Sequence, residues 1–307
     1  MFSQPGGWVY VANSEVAAGA GGCGALRFRD GGELVDAYTV LHGTSRNCVG
    51  GKTPWSSWLS CEEVPFGLVW ECDPRGTRPA TVRPALGRFK HEAAIVDPSS
   101  GQVYLTEDQP DGCLYRFTPA DEAGSAASLE SGELAVLATS EGGAVAWRAL
   151  PDPTSTYVPA RRQVTNALRF SSAEGAAIYG GSLYFCTVGD RRIWEYDLER
   201  GTLRALCDQA WFAAASLPGL DSLVATPGGL LLAGADSGPL RAVLVDRDRR
   251  CVDLLEVEGH SSSELTGFAF DPSGTRLYFS SQRGWSGHAQ DGITYEISGP
   301  FPGLSQA

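Results

Sequence analysis

The chain has 307 residues, and 24 lysines and arginines stand against 36 aspartates and glutamates, a formal net charge of −12; such a polyanion repels a phosphate backbone, which argues against nucleic-acid binding. No run of roughly 18 apolar residues exists, so no transmembrane helix is expected, and the opening MFSQPGGWVYVANSE lacks the basic stretch and apolar core of a signal peptide. The 38 glycines and 18 prolines are spread along the whole chain, as suits many short strands joined by tight turns.

In chain order, GWVYVANSE, ALRFRDGGELVDAYTVL and SWLSCEEVPFGLVWECDP are strand-like and set off by Gly or Pro turns. From His91 to Pro119 the sequence reads as three strands separated by turns at DPSSG and QPDG. Residues 121–130, rich in Ala, Ser and Glu, read as an exposed loop. AEGAAIYGGSLYFCTVGDRRIWEYDLERG repeats the three-strand pattern, and a short helix is predicted around residues 208–215. LDSLVATPGGLLLAGADSGPLRAVLVDRDRRCVDLLEV repeats it again, and Glu264–Gly299 is a near-copy of the His91 unit. Four clear units and two looser ones predict an all-β fold, a six-bladed β-propeller forming one domain over residues 1–307. A β-sandwich would not account for the acid that recurs at the start of each unit.

Those acids recur in register. Glu92, Glu174, Asp221 and Glu264 stand immediately before the predicted first strand of their units. A second set ends the next strand: Glu107 follows Glu92 by 15 positions and Asp236 follows Asp221 by 15, while Glu15 and Glu62–Glu63 end strands in the looser units. Equivalent positions in successive blades surround one axis, so carboxylates there would repel unless cations hold them together. Glu is a poor turn residue, so turn chemistry does not explain its recurrence.

Eight cysteines are present without a CxxC pair, and four histidines without finger spacing, which argues against a zinc site. Several of the cysteines fall within apolar strand patterns, and for all but Cys48 a small buried hydrophobe is expected. GAGGCG lacks the lysine and helix of a phosphate loop, and GHSSSE is not a nucleophile elbow.

RNCVGGKTPWSSWLSCEE (Arg46–Glu63), FKHEAAIVDPSSGQVYLTED (Phe89–Asp108), SSAEG (Ser171–Gly175), SELTGFAFDPSGTRLYFSSQRG (Ser263–Gly284) and the final DGITYEISGPF resemble, in order, the PhoX-type alkaline phosphatases and their shorter relatives. The resemblance implies a six-bladed propeller with ferric iron and calcium (Fe3+, Ca2+) at the channel mouth, hydrolysing a small-molecule phosphate ester. It implies iron ligation by Cys48, Glu92 and Glu174 at the catalytic centre. Glu15, Glu63, Glu107, Asp221 and Glu264 fall on calcium or supporting positions, with a carbonyl from Asn13. A thiolate is a poor ligand for calcium and a good one for a transition metal, which agrees with iron at Cys48. Bridged metal ions can hold a phosphoryl group and activate water, so no side-chain nucleophile is required.

The larger phosphatases of this type carry Arg-Pro where this chain has Ser172 and Ala173, so Arg169, Lys52 or Arg283 would have to supply the phosphate clamp. Asp221-Ser222 and Ala235-Asp236 also depart from the family pattern. A monomer is expected, and the family is usually exported. Two other functions fit a propeller: a calcium-dependent lactonase or esterase, which needs no thiolate, and a non-catalytic binding module in which the metals are structural.

Overall fold

The computed structural model describes residues 1–120, 129–208, 219–236, 238–246 and 248–304. Most of the loop predicted at 121–130 and of the helix predicted at 208–215 lies outside the described residues. Among those described, 24 strands form six antiparallel sheets, each built from strands consecutive in the chain. This is an all-β, six-bladed β-propeller, and helix among the described residues is confined to three-residue 3₁₀ turns. No helix among the described residues is long and apolar enough to cross a membrane.

The chain divides into two compact units, Phe2–Ala173 and Glu174–Ala307 with Met1. The first unit holds three sheets. In the first sheet β1 (Phe2–Gln4), β2 (Gly7–Ser14), β3 (Gly21–Arg29) and β4 (Leu34–Thr44) pair in order. The second comprises β5 (Asn47–Lys52), β6 (Trp58–Glu62), β7 (Val69–Cys72) and β8 (Thr81–Val82). The third has β9 (His91–Val96), β10 (Val103–Glu107), β11 (Leu114–Pro119), β12 (Gly132–Thr139) and β13 (Val145–Ala149), two strands more than its sequence unit suggests. Leu59, Leu105, Tyr115, Phe117 and Leu134 are sealed in one apolar cluster spanning the second and third sheets. Burying side chains of this size is the main favourable term in folding.

In the second unit the fourth sheet is β14 (Ala173–Tyr179), β15 (Ser182–Thr187), β16 (Arg192–Asp197) and β17 (Thr202–Asp208). The fifth is β18 (Leu220–Ala225), β19 (Leu231–Ala235), β20 (Leu240–Val245) and β21 (Cys251–Val257), and the sixth is β22 (Leu265–Phe270), β23 (Arg276–Ser281) and β24 (Ile293–Ser298). Cys186, Leu206, Leu223 and Val243 fill one core here; Leu232, Leu265, Phe268 and Phe279 fill another.

Both DPS-type turns join the first two strands of a sheet. Asp97 accepts from the Ser99 backbone N–H at 3.0 Å and from the Ser99 and Ser100 hydroxyls at 2.8 and 2.5 Å. Asp271 accepts from the Ser273 hydroxyl at 2.6 Å and the Arg276 N–H at 2.9 Å. Carboxylates that satisfy loop N–H groups in this way fix the hairpin geometry.

The acids expected just before the first strand of their units prove to be inside it. Glu92, Glu174 and Asp221 are each the second residue of β9, β14 and β18, and only Glu264 precedes its strand. The ladder runs further than hydropathy suggests because backbone pairing, as between Glu107 and His91 or between Leu220 and Ala235, does not depend on side-chain polarity. Cys48, second in β5, holds the same place in the second sheet.

Candidate metal centre

In an antiparallel sheet the start of the first strand and the end of the second lie at the same edge. In the N-terminal unit this brings three predicted residues together. Glu15 follows β2, Cys48 is in β5 and Glu63 follows β6; their carboxylate oxygens and thiol sulfur lie within 4.8 Å of one another. All three are partly exposed, so solute can reach them.

Asn13 braces this trio, in a different way from the carbonyl ligation suggested by the sequence. Its Nδ2 donates to the Cys48 carbonyl and to the Val49 carbonyl at 2.8 Å. Its Oδ1 accepts from Trp58 Nε1 at 3.0 Å and from Ser60 Oγ at 2.8 Å. The amide therefore ties β2 to the cysteine strand. Of the adjacent acids, Glu62 is turned to local structure, accepting from the Ser45 N–H at 3.0 Å and Trp70 Nε1 at 3.2 Å. That leaves Glu63 to meet the thiol. Glu92 is fully buried and accepts from the Val49 N–H at 3.4 Å, one residue past Cys48.

Lys90 and Asp108 belong to the same neighbourhood and were not singled out in the sequence. Lys90 Nζ lies 2.7 Å from Glu63 Oε1 and also bonds Asp108. Burial pushes the Glu63 carboxyl well above its usual range, and the Asp108 hydrogen bond and the Glu15 charge add to that, although Lys90 opposes it. Burial works against the Asp108 charge as well, but there the Lys90 bonds prevail and hold the carboxyl low. The lysine is thus shared unequally: Lys90 balances the charge of Asp108, while burial beside Glu15 favours the neutral form of Glu63 until a cation takes the place of its proton. The Ser172 hydroxyl bonds Asp108 as well.

Other predicted ligands are engaged by protein cations. Glu107 is fully buried, 3.0 Å from Arg161 Nη1 and bonded by the Tyr115 hydroxyl at 2.7 Å. Glu264 pairs with Arg283 Nη2 at 2.8 Å. In the C-terminal unit the carboxylates of Glu174 and Asp221 come within 4.8 Å of each other, both buried. Gly175 permits this: a Cβ there would stand 2.7 Å from the Asp221 carbonyl oxygen and from the Leu223 nitrogen.

The cations named as replacement phosphate clamps all have protein partners. Arg169 donates to the Asp111 carbonyl at 3.3 Å and to Cys113 Sγ at 3.1 Å, Arg283 holds Glu264, and Lys52 Nζ sits 5.3 Å from the centre of the Phe2 ring.

The family model for alkaline phosphatase PhoX matches residues 12–65 and 64–192, which include Glu15, Cys48, Glu63, Glu92 and Glu174. No curated protein matches the chain significantly. Among solved structures, a gluconolactonase from Xanthomonas campestris is 14% identical over 89% of this chain and 82% of its own, with a TM-score of 0.51. A putative gluconolactonase is 13% identical over 99% and 92%, with a TM-score of 0.54. A chain of a nidogen/laminin complex is 12% identical over 90% and 86%, with a TM-score of 0.56. At these identities the likeness is one of fold.

Proposed function

The chain belongs to the PhoX alkaline phosphatase family, and from that premise we propose that it hydrolyses small phosphomonoesters at a metal centre to which Glu15, Cys48 and Glu63 contribute. The observation that carries this reading is the trio itself, one thiol and two carboxylates within 4.8 Å of one another. That donor set suits a transition metal at the sulfur side and a hard cation at the oxygens, so it fits the ferric iron and calcium that the family implies. Glu92, Glu174 and Asp221 are proposed as further ligands on the strength of the family motifs. Glu107 and Glu264, held by Arg161 and Arg283, are proposed as supporting residues instead of direct ligands.

Metal ions bound there would supply charge neutralisation at the phosphoryl oxygens and a more acidic water. The protein's own part is to hold and to balance. Asn13 fixes the backbone on either side of the Cys48–Val49 bond, so the thiol is presented without reorganisation. Lys90, 2.7 Å from Glu63 and bonded to Asp108, is placed to meet a dianionic ester arriving beside the trio. Ser172 steadies Asp108, which steadies Lys90.

A lactonase would share the fold, but such a site works with one divalent ion and has no use for the thiol. Turnover of p-nitrophenyl phosphate at alkaline pH, by protein reconstituted with iron and calcium, tests the phosphatase reading. Turnover that a chelator abolishes is expected. Complete loading with no turnover would sink the reading, and lactone hydrolysis undiminished in Cys48→Ser would favour the alternative.

A further inference from the structure

Cys207 and Cys251 stand apart from the candidate metal centre. Cys207 is the sixth residue of β17 and Cys251 the first of β21, so each lies on the last strand of its sheet, 44 positions apart in the chain. No backbone ladder joins these two strands. Their sulfur atoms are 3.4 Å apart, within reach of the disulfide bond length of about 2.05 Å. Cys207 is sealed from solvent, but Cys251 is partly exposed.

That asymmetry matters for reactivity, because the thiolate is the attacking species and must be accessible. The hydrogen bond from Cys207 lowers the pKa of Cys251, and the same bond together with burial raises that of Cys207. Cys23 and Cys72 also interact through their thiols, but they are only 2% and 0% exposed. Cys48 is taken up by the carboxylate trio.

We propose that Cys207 and Cys251 form an oxidation site, which closes to a disulfide between two successive sheets when the protein meets a small-molecule disulfide. The exposed Cys251 thiolate attacks one sulfur of the reagent and expels the other half as a thiolate, leaving a mixed disulfide. Cys207 then gives up its proton and attacks Cys251 Sγ, and the second half departs as a thiolate. Two protein thiols are oxidised, one reagent disulfide is reduced to two thiols, and the two protein protons end on the leaving groups. The bond joins strands that share no ladder, so it restrains opening of the sheet edges.

The test is to oxidise the purified full chain with oxidised glutathione, denature and alkylate it, and digest without reduction for mass spectrometry. A peptide linked through Cys207 and Cys251 is expected, with the other six of the eight cysteines alkylated (8 − 2 = 6). Cys207→Ser should stop at a glutathione adduct on Cys251. Wild type should melt about 5 °C higher oxidised than reduced, and Cys207→Ser should show no such gap. Eight alkylated cysteines in wild type, a bond from Cys251 to another cysteine, or an unmodified Cys251 in the variant would each overturn the proposal. None of these readouts depends on phosphatase activity.

Discussion

Cys48 gains its chemical character from its neighbours, and the most informative of these is Asn13. Both ends of that amide are committed, two carbonyls accepting from Nδ2 and two donors reaching Oδ1. Asn13→Ala should therefore leave the thiol in place but loosely held, with metal affinity about 10- to 100-fold weaker in a competitive chelator titration. Lys90 is the corresponding test on the substrate side. Lys90→Ala should raise KM for p-nitrophenyl phosphate about 10-fold, near 1.4 kcal/mol of binding, with a smaller change in kcat; steady-state kinetics would show it. The acids and the cysteine were legible as candidate ligands because their types recur at fixed places in the units. Asn13 and Lys90 were not legible in those roles. A bracing amide or a partnering lysine is defined by what surrounds it, and a single sequence does not display surroundings.

At the scale of elements, close approach between sheets is written in particular glycines. Gly51 in β5 faces Ala94 in β9, and a Cβ on it would stand 2.0 Å from the Ala94 carbonyl oxygen. Backbone cannot yield as a flexible side chain can, so Gly51→Ala should cost about 3 kcal/mol in denaturant unfolding. The Asp97 turn makes a second prediction. Burial opposes the Asp97 charge, yet the hydrogen bonds from Ser99 and Ser100 hold its carboxyl below the usual range. A carboxyl lowered in the folded state stabilises above its ordinary pKa, about 3.9, and loses that contribution as the pH falls. Asp97→Ala should cost about 1.5 kcal/mol near pH 7. The gap from wild type should narrow in unfolding curves taken below about pH 4, and a gap that widened there would contradict the assignment. The turns were readable from DPSSG and DPSG; the first residues of β9, β14 and β18 were not. Glu92, Glu174 and Asp221 look like the end of a loop by hydropathy; pairing of the neighbours His91 and Leu220 extends β9 and β18 past Glu92 and Asp221, which sit at irregularities in the ladder.

For the whole molecule, sequence and structure agree on six sheets in chain order, because alternating apolar strands and Gly-Pro turns are strong local signals. The third sheet was underestimated by two strands, since β12 and β13 follow the Ala/Ser/Glu-rich stretch where the three-strand pattern no longer repeats. The net charge of −12 has a role in this account: part of it is concentrated where cations would bind. Removing those cations should take away the stabilisation that binding to the folded state supplies and lower the melting temperature in a calorimetric scan, with calcium and iron restoring it. On the proposed function, Cys48 helps to hold a transition metal for phosphomonoester hydrolysis. Elemental analysis of wild type and Cys48→Ser, both purified without added chelator, tests it most directly. Iron together with calcium is expected in wild type, and iron lost from the variant in step with p-nitrophenyl phosphate turnover. Equal iron and equal turnover in the two proteins would contradict it.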